Sequence, residues 1–179
     1  MLFIHGALAS PGNFEVPAGM LASRGRAFLA PAYGQRGTGD ITQSLEHLLG
    51  IVDDISSPQF DIVGHSLGGL LGLQIAQQRP GRVRTLVGLG ACFRGVPRRL
   101  RFPRLMSLVV GPTVVQLTQT DRFGVDVPAG TSVFSIVSDA DAVVPRSSSE
   151  LGTVIPVHGI RHERLPSLGS EVLRALGYE

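Results

Sequence analysis

The chain has 179 residues, 43% of them hydrophobic and 17% charged, with 23 Gly and 12 Pro; this is the length and composition of one folded domain and excludes two large domains or a disordered chain. All 16 basic residues are Arg, which removes a P-loop lysine, a pyridoxal Schiff base and any lysine nucleophile, and a net charge of +2 is too small to argue for nucleic acid. The one cysteine, Cys92, excludes an intramolecular disulfide and a cysteine zinc site, and no apolar stretch approaches the ~20 residues of a bilayer span.

In chain order the pattern reads strand 2–4, helix 14–24, strand 27–30, helix 41–55, strand 60–63, helix 66–78 and strand 83–89. A long segment over 91–130 follows, with helix in parts of 103–118. Strand 132–137, helix 147–151, strand 153–157 and helix 166–176 complete the chain. Short apolar runs alternating with longer amphipathic ones are the signature of parallel strands joined by crossover helices. The expectation is therefore one α/β domain over 1–179, with a mostly parallel sheet of about six strands and helices on both faces. Segment 91–130 is longer than a plain crossover requires and reads as an elaborated crossover or small lid-like piece. It carries Arg94, Arg98, Arg99, Arg101 and Arg104, either a solvated face or an attraction for anionic substrates or lipid surfaces. The amino terminus lacks the basic region, apolar run and small-residue site of a signal peptide, so cytoplasm is the default expectation, with secretion the alternative for a mature form.

The sharpest local signal is the run Phe60-Asp61-Ile62-Val63-Gly64-His65-Ser66-Leu67-Gly68-Gly69, an apolar strand entering G-x-S-x-G and then a Leu/Ala/Gln-rich helix. In a nucleophile elbow the serine occupies a strained strand-to-helix turn, and small neighbours let the backbones approach. Gly64 and Gly68 meet that need, Ser66 is the nucleophile, and His65 packs or hydrogen-bonds at the elbow. A glycine-rich turn with an incidental serine is the bland alternative.

A serine nucleophile needs a base, and the base an orienting acid, in the chain order Ser, Asp, His. Asp141 lies just past the carboxyl end of strand 132–137 and is the preferred acid, with Asp139 its competitor; both could instead cap the turn that follows. His158 and His162 compete for the base. Their spacing of four would suit metal ligands on a helix, but Gly159 and the β-type run before it argue against a helix there. His162, farther into the loop, is preferred, and His158 reads as a structural strand-end residue. At the other end, Leu2-Phe3-Ile4-His5-Gly6-Ala7 is a strand breaking into His-Gly. The Ala7 amide can join that of Leu67 as an oxyanion hole, with His5 and Gly6 shaping the loop. His47 reads as a surface residue.

Together these motifs resemble the α/β-hydrolase superfamily, and within it the small lidless lipases and esterases of the Bacillus subtilis lipase A type, over nearly the whole chain. His5-Gly6-Ala7 looks like that family's oxyanion strand end, 64–68 its elbow, Asp141 its acid and His158-Gly159-Ile160-Arg161-His162 its histidine loop, with the second histidine catalytic. The resemblance implies carboxylic ester hydrolysis through an acyl-enzyme, with no cofactor and no metal. Two departures stand out: the strands that larger hydrolases place before the His-Gly strand are absent, and 91–130 is longer and more basic than a minimal lipase needs. The expected partner is a small-molecule or lipid ester, with no nucleic acid and no stable membrane insertion, and with lipid-surface contact as a further role for 91–130. Thioester, amide or peracid chemistry on the same machinery, or a non-catalytic binding module, are the alternatives.

Overall fold

Among the described residues, five strands, β1 (Leu2–Ile4), β2 (Phe60–His65), β3 (Val83–Leu89), β4 (Ser132–Ser138) and β5 (Thr153–Val157), form an all-parallel sheet in the order β1-β2-β3-β4-β5. The structure, a computed structural model, describes residues 1–97 and 103–178. Arg98, Arg99 and Arg101 of the arginine cluster, and the side chain of Leu105, lie outside the described residues. The register pairs Ile4 with Gly64, His65 with Leu89, Leu89 with Ile136 and Ser138 with Val157. The strands therefore end together, and the residues that follow each of them emerge on one rim.

Alternation along the strands divides the core in two. Leu2, Ile4, Ile62 and Leu86 face one side, while Phe3, Val63, Val87 and Leu89 face the other. Among the described residues, α1 (Glu15–Ala22), α2 (Gly34–Gly37), α3 (Ile41–Asp53), α4 (Leu67–Gln78), α5 (Pro103–Val110), α6 (Pro112–Gln116) and α7 (Arg146–Ser149) lie between strands, and α8 (Gly169–Ala175) follows β5. Helix α3 starts where the Asp40 carboxylate accepts the N–H groups of Thr42 and Gln43 at 2.8 and 3.1 Å, an N-cap that satisfies two otherwise orphaned donors. Its Ile41, Leu45, Leu48, Leu49 and Val52 form one apolar stripe and join α4 on the first face. Leu21 of α1 and Val172 and Leu173 of α8 cover the second. Strand β5 is the partly exposed edge, which is why it accommodates Pro156.

The sixth expected strand is reduced to one bridge. Leu29 pairs with Leu2, accepting the Phe3 N–H at 2.8 Å and donating to Met1 O at 2.9 Å. The next donor in a parallel ladder would be residue 31, and Pro31 has no N–H to give. The final helix also starts later than its expected 166: His162–Ser167 is a 3-10 helix containing Pro166, and α8 begins at Gly169.

Between β3 and β4, α5 and α6 are separated at Gly111, whose φ of 91° breaks the helix before Pro112. Helix α6 is fastened to the start of α3: Thr113 donates through its hydroxyl to Gly39 O and through its N–H to Thr38 O at 3.3 Å, and Gln116 Oε1 accepts the Ile41 N–H at 2.9 Å. Leu108 and Val109 of α5 are 85% and 73% exposed. Among the described residues, no helix is long and apolar enough to cross a membrane, and no group of three His, Cys, Asp or Glu is arranged to hold a metal ion.

Candidate active site

The turn from β2 into α4 places Ser66 at φ 52°, ψ −117°, a conformation unfavourable for any residue with a Cβ and characteristic of sites that store strain. Close packing enforces it. A Cβ on Gly68 would lie 1.9 Å from Ile4 O, and one on Gly64 would lie 2.4 Å from Gly68 O, so only glycine lets the elbow close against β1. The Ser66 N–H donates to Leu89 O at 3.1 Å, and its carbonyl accepts from Gly69 and Cys92 at 3.1 and 3.2 Å. Leu67 is the first residue of α4, where an amide has no intrahelical acceptor and the helix dipole favours negative charge.

Beyond β4 and β5, the structure sorts the duplicated acid and base candidates into two pairs. His162 Nδ1 and Asp141 Oδ2 are 2.7 Å apart, with side chains only 10% and 4% exposed. Asp141 Oδ1 accepts the N–H groups of Val143 and Val144 at 2.8 and 3.0 Å, which fixes the carboxylate. Burial pushes the Asp141 carboxyl up, but the hydrogen bonds from His162, Val144 and Val143, with the His162 charge, outweigh it and hold the group below its ordinary value. A carboxylate only accepts, so Nδ1 carries a proton, and in the neutral ring Nε2 is the nitrogen with the lone pair. The other pair, His158 Nδ1 and Asp139 Oδ2, meets at 2.8 Å on the surface, 82% and 54% exposed, with Asp139 Oδ1 accepting the Gly159 N–H at 2.8 Å. That pair closes a solvent-facing turn.

The strand end at β1 lies against Ser66: a Cβ on Gly6 would be 3.1 Å from Ser66 Cβ. His5 Nδ1 donates to Gly6 O at 2.8 Å, its ring stacks on Tyr33 at 4.4 Å, and the Tyr33 hydroxyl donates to His5 O at 2.5 Å. Burial is the chief cause that holds His5 below its ordinary pKa. Gln35 and Arg36 in α2 have left-handed backbones, at φ 50° and 63°, and Arg36 Nη2 donates to Leu8 O at 3.0 Å. The elbow histidine, His65, is buried and donates through Nε2 to His162 O at 3.0 Å. Burial, reinforced by the neighbouring His162, pushes its pKa down to about 3, so the ring is neutral at physiological pH. His47 is exposed.

Ser66, His65 and His162 open on a cavity of about 590 Å³ that Ala7 and Leu8 also line. Val96, Met106, Val114, Leu117 and Val143 make one apolar wall, and Asn13, Arg36 and Glu163 supply polar groups. The arrangement combines a strained hydroxyl, an imidazole with a fixed tautomer and amides at a helix start, which are the parts of nucleophilic acyl transfer. Sequence reasoning did not find Gly90, whose φ of 51° and missing Cβ leave room for the Asp141–His162 pair: a Cβ there would lie 2.8 Å from Asp141 Oδ2 and 3.1 Å from His162 Nδ1. A glycine ending a strand was its only signal. Tyr33 and Arg36 were also missed, although their glycine-rich run directly follows residues 27–30. Cys92 is fully buried, and burial pushes its thiol up to about 12, so no thiolate competes with the serine.

Comparisons with known proteins agree with this architecture. RutD of Variovorax paradoxus (strain S110), named as a carbamate hydrolase, is 34% identical over 101 residues, covering 51% of this chain and 37% of that protein. A 2-hydroxymuconate semialdehyde hydrolase of Pseudomonas putida is 37% identical over 99 residues, covering 50% of this chain and 35% of that protein. The matched segment thus spans little more than a third of the length of these relatives. Among solved structures, Paleococcus ferrophilus monoacylglycerol lipase shares the fold, with a TM-score of 0.74 at 17% identity over 98% of this chain and 91% of that one. A family model described as Alpha/beta hydrolase family matches residues 1–173. That match takes in the whole sheet and every segment of its rim, and this chain belongs to the α/β-hydrolase family.

Proposed function

We propose that the chain is a serine ester hydrolase working through an acyl-enzyme. One observation carries the reading: His162, held by a buried 2.7 Å contact to Asp141, lines the same cavity as the strained Ser66. Ser66 Oγ attacks the ester carbonyl and its proton passes to His162 Nε2, the nitrogen left unprotonated by the bond to Asp141. The tetrahedral oxyanion sits between the amides of Ala7 and Leu67, each such donor contributing about 10²–10³ in rate. His162 then returns the proton to the leaving alcohol, and water, activated by the same imidazole, releases the acid. The apolar wall of Val96, Met106, Val114 and Leu117 suits the acyl chain of such a substrate.

Hydrolase relatives support the general class, and the relative named as a carbamate hydrolase favours a second reading, a carbamate carbonyl attacked by the same serine. The test is labelling with a fluorophosphonate probe together with a hydrolysis series of p-nitrophenyl esters from acetyl to palmitoyl, with and without an emulsified interface. One label on Ser66, lost in Ser66→Ala together with all ester turnover, supports the proposal. A folded protein that neither labels nor hydrolyses any ester in the series contradicts it.

A further inference from the structure

One side chain that lines the cavity meets the Ser66 turn, His162 and the end of β1 together. His65 directly precedes Ser66, and its ring packs against the His162 ring with centroids 4.6 Å apart and planes tilted by 42°. Its Nε2–H donates to the His162 carbonyl at 3.0 Å, across 97 positions of sequence. Its other nitrogen, Nδ1, faces the oxyanion strand end, so close that a Cβ on Gly6 would lie 2.9 Å from it. The residue is 5% exposed, and Nδ1 has no hydrogen-bond partner among the described residues.

A group that merely filled this space would be better apolar, since a buried acceptor without a partner is destabilising. The imidazole retains that cost along with one directed bond, and the bond reaches the main chain of the base. Asp141 orients the His162 ring through Nδ1, but a ring can be aimed only if its backbone is held. His162 begins a short 3-10 helix, in which hydrogen-bond geometry is poorer than in an α-helix. We infer that His65 is a positioning residue for His162: its Nε2–H, carried on the nucleophile's own turn, holds the His162 backbone so that base and serine keep one relative position. The inference rests on the serine-hydrolase reading above. The ring's neutrality at physiological pH fits the role, because a cation beside His162 would oppose the imidazolium that forms during acyl transfer.

Two substitutions separate positioning from packing. His65→Gln keeps an N–H donor of similar reach, whereas His65→Met has comparable bulk and no donor. If the hydrogen bond matters, Met lowers kcat for p-nitrophenyl butyrate about 10²-fold, the scale of a displaced catalytic group, with KM within about threefold, and Gln restores kcat to within about tenfold of the parent. The rate of fluorophosphonate labelling at Ser66 should follow the same order. A packing role reverses it, because apolar Met fits a buried site better than Gln. Equal activity in Met and parent, or Gln no better than Met, overturns the inference. Ring nitrogen NMR of the parent provides a second readout that does not depend on the folding of any variant: His65 must be the Nε2–H tautomer, and an Nδ1–H tautomer contradicts the bond. A parent that does not label at Ser66 removes the reaction and the role of His65 with it, whereas a parent that labels while Met matches it removes only the role of His65.

Discussion

Replacing Gly90 with Ala should disable the site by wedging apart two residues it does not replace. The new methyl would stand 2.8 Å from Asp141 Oδ2, 3.1 Å from His162 Nδ1 and 2.6 Å from Leu165 Cδ1. To regain ordinary contact near 3.4 Å, the carboxylate oxygen must retreat by about 0.6 Å. With His162 Nδ1 pushed back to the same distance from the methyl, the 2.7 Å bond between the two lengthens to about 3.1 Å, near the outer edge of a good N–H···O bond. A displacement approaching 1 Å at a catalytic group costs about 10²-fold in rate, and that is the expected loss in kcat for p-nitrophenyl butyrate. The left-handed backbone adds about 1–2 kcal/mol of destabilisation, or roughly 2–8 °C in Tm for a domain of this size. Gly81→Ala is the matched control. Gly81 also has a left-handed backbone, φ 81°, but nothing lies within 4 Å of its missing Cβ. It should lose comparable stability and keep its activity. A folded Gly90→Ala protein within tenfold of the parent would refute the reasoning.

Four further outcomes follow from the same geometry. Ser66→Ala and Ser66→Gly should both lose about 10⁶-fold in turnover, and Gly should melt above Ala because only Gly relaxes the strained backbone; equal melting points would mean that the elbow stores no strain. His162→Ala and Asp141→Asn should cost about 10⁴-fold or more, whereas His158→Ala and Asp139→Asn, in the exposed pair, should stay within about threefold; a reversed order in kcat would exchange the two pairs. Stability should fall on acidification from pH 6.5, because chiefly burial pushes His65 from 6.5 down to about 3 and the unfolded chain alone takes up the proton between those values. This contribution is complete above pH 6.5 and amounts to a loss of about 2 kcal/mol by pH 5; urea titrations should show it, His65→Gln should flatten it, and an unchanged midpoint in the parent would contradict it. Replacing exposed Leu108 and Val109 with Ser should lower turnover of emulsified long-chain esters and spare a soluble short one; equal effects on both substrates would assign α5 no role at a lipid surface.

Local signals made much of this legible from the chain. Strand β2, the G-x-S-x-G turn and α4 are contiguous, so alternation, glycine spacing and helical pattern all point to one structure within 60–78. The order of Asp and His after the serine follows from where strands 132–137 and 153–157 end. The wedge at Gly90, the bond from His65 to His162 and the fastening of α6 to the start of α3 depend on residues distant in sequence and on side-chain direction, and no local pattern encodes those. The bridge at Leu29 was legible in principle: Pro31 was visible, but the identity of the donor it removes depends on register with β1. Within 91–130 the apolar residues divide in a way that composition cannot show, with Met106, Val114 and Leu117 lining the cavity while Leu108 and Val109 face solvent.

The central claim, a covalent acyl-enzyme on Ser66, is tested most directly by acid-quenching the parent protein within milliseconds of mixing with p-nitrophenyl butyrate and measuring its intact mass and peptide map. The account predicts a species heavier by one butyryl group, with the group on the peptide carrying Ser66, formed in a burst of p-nitrophenol equal to the enzyme present and absent from Ser66→Ala. Steady release of p-nitrophenol with no adduct at any quench time and no burst, or an adduct on another residue that survives Ser66→Ala, would contradict it.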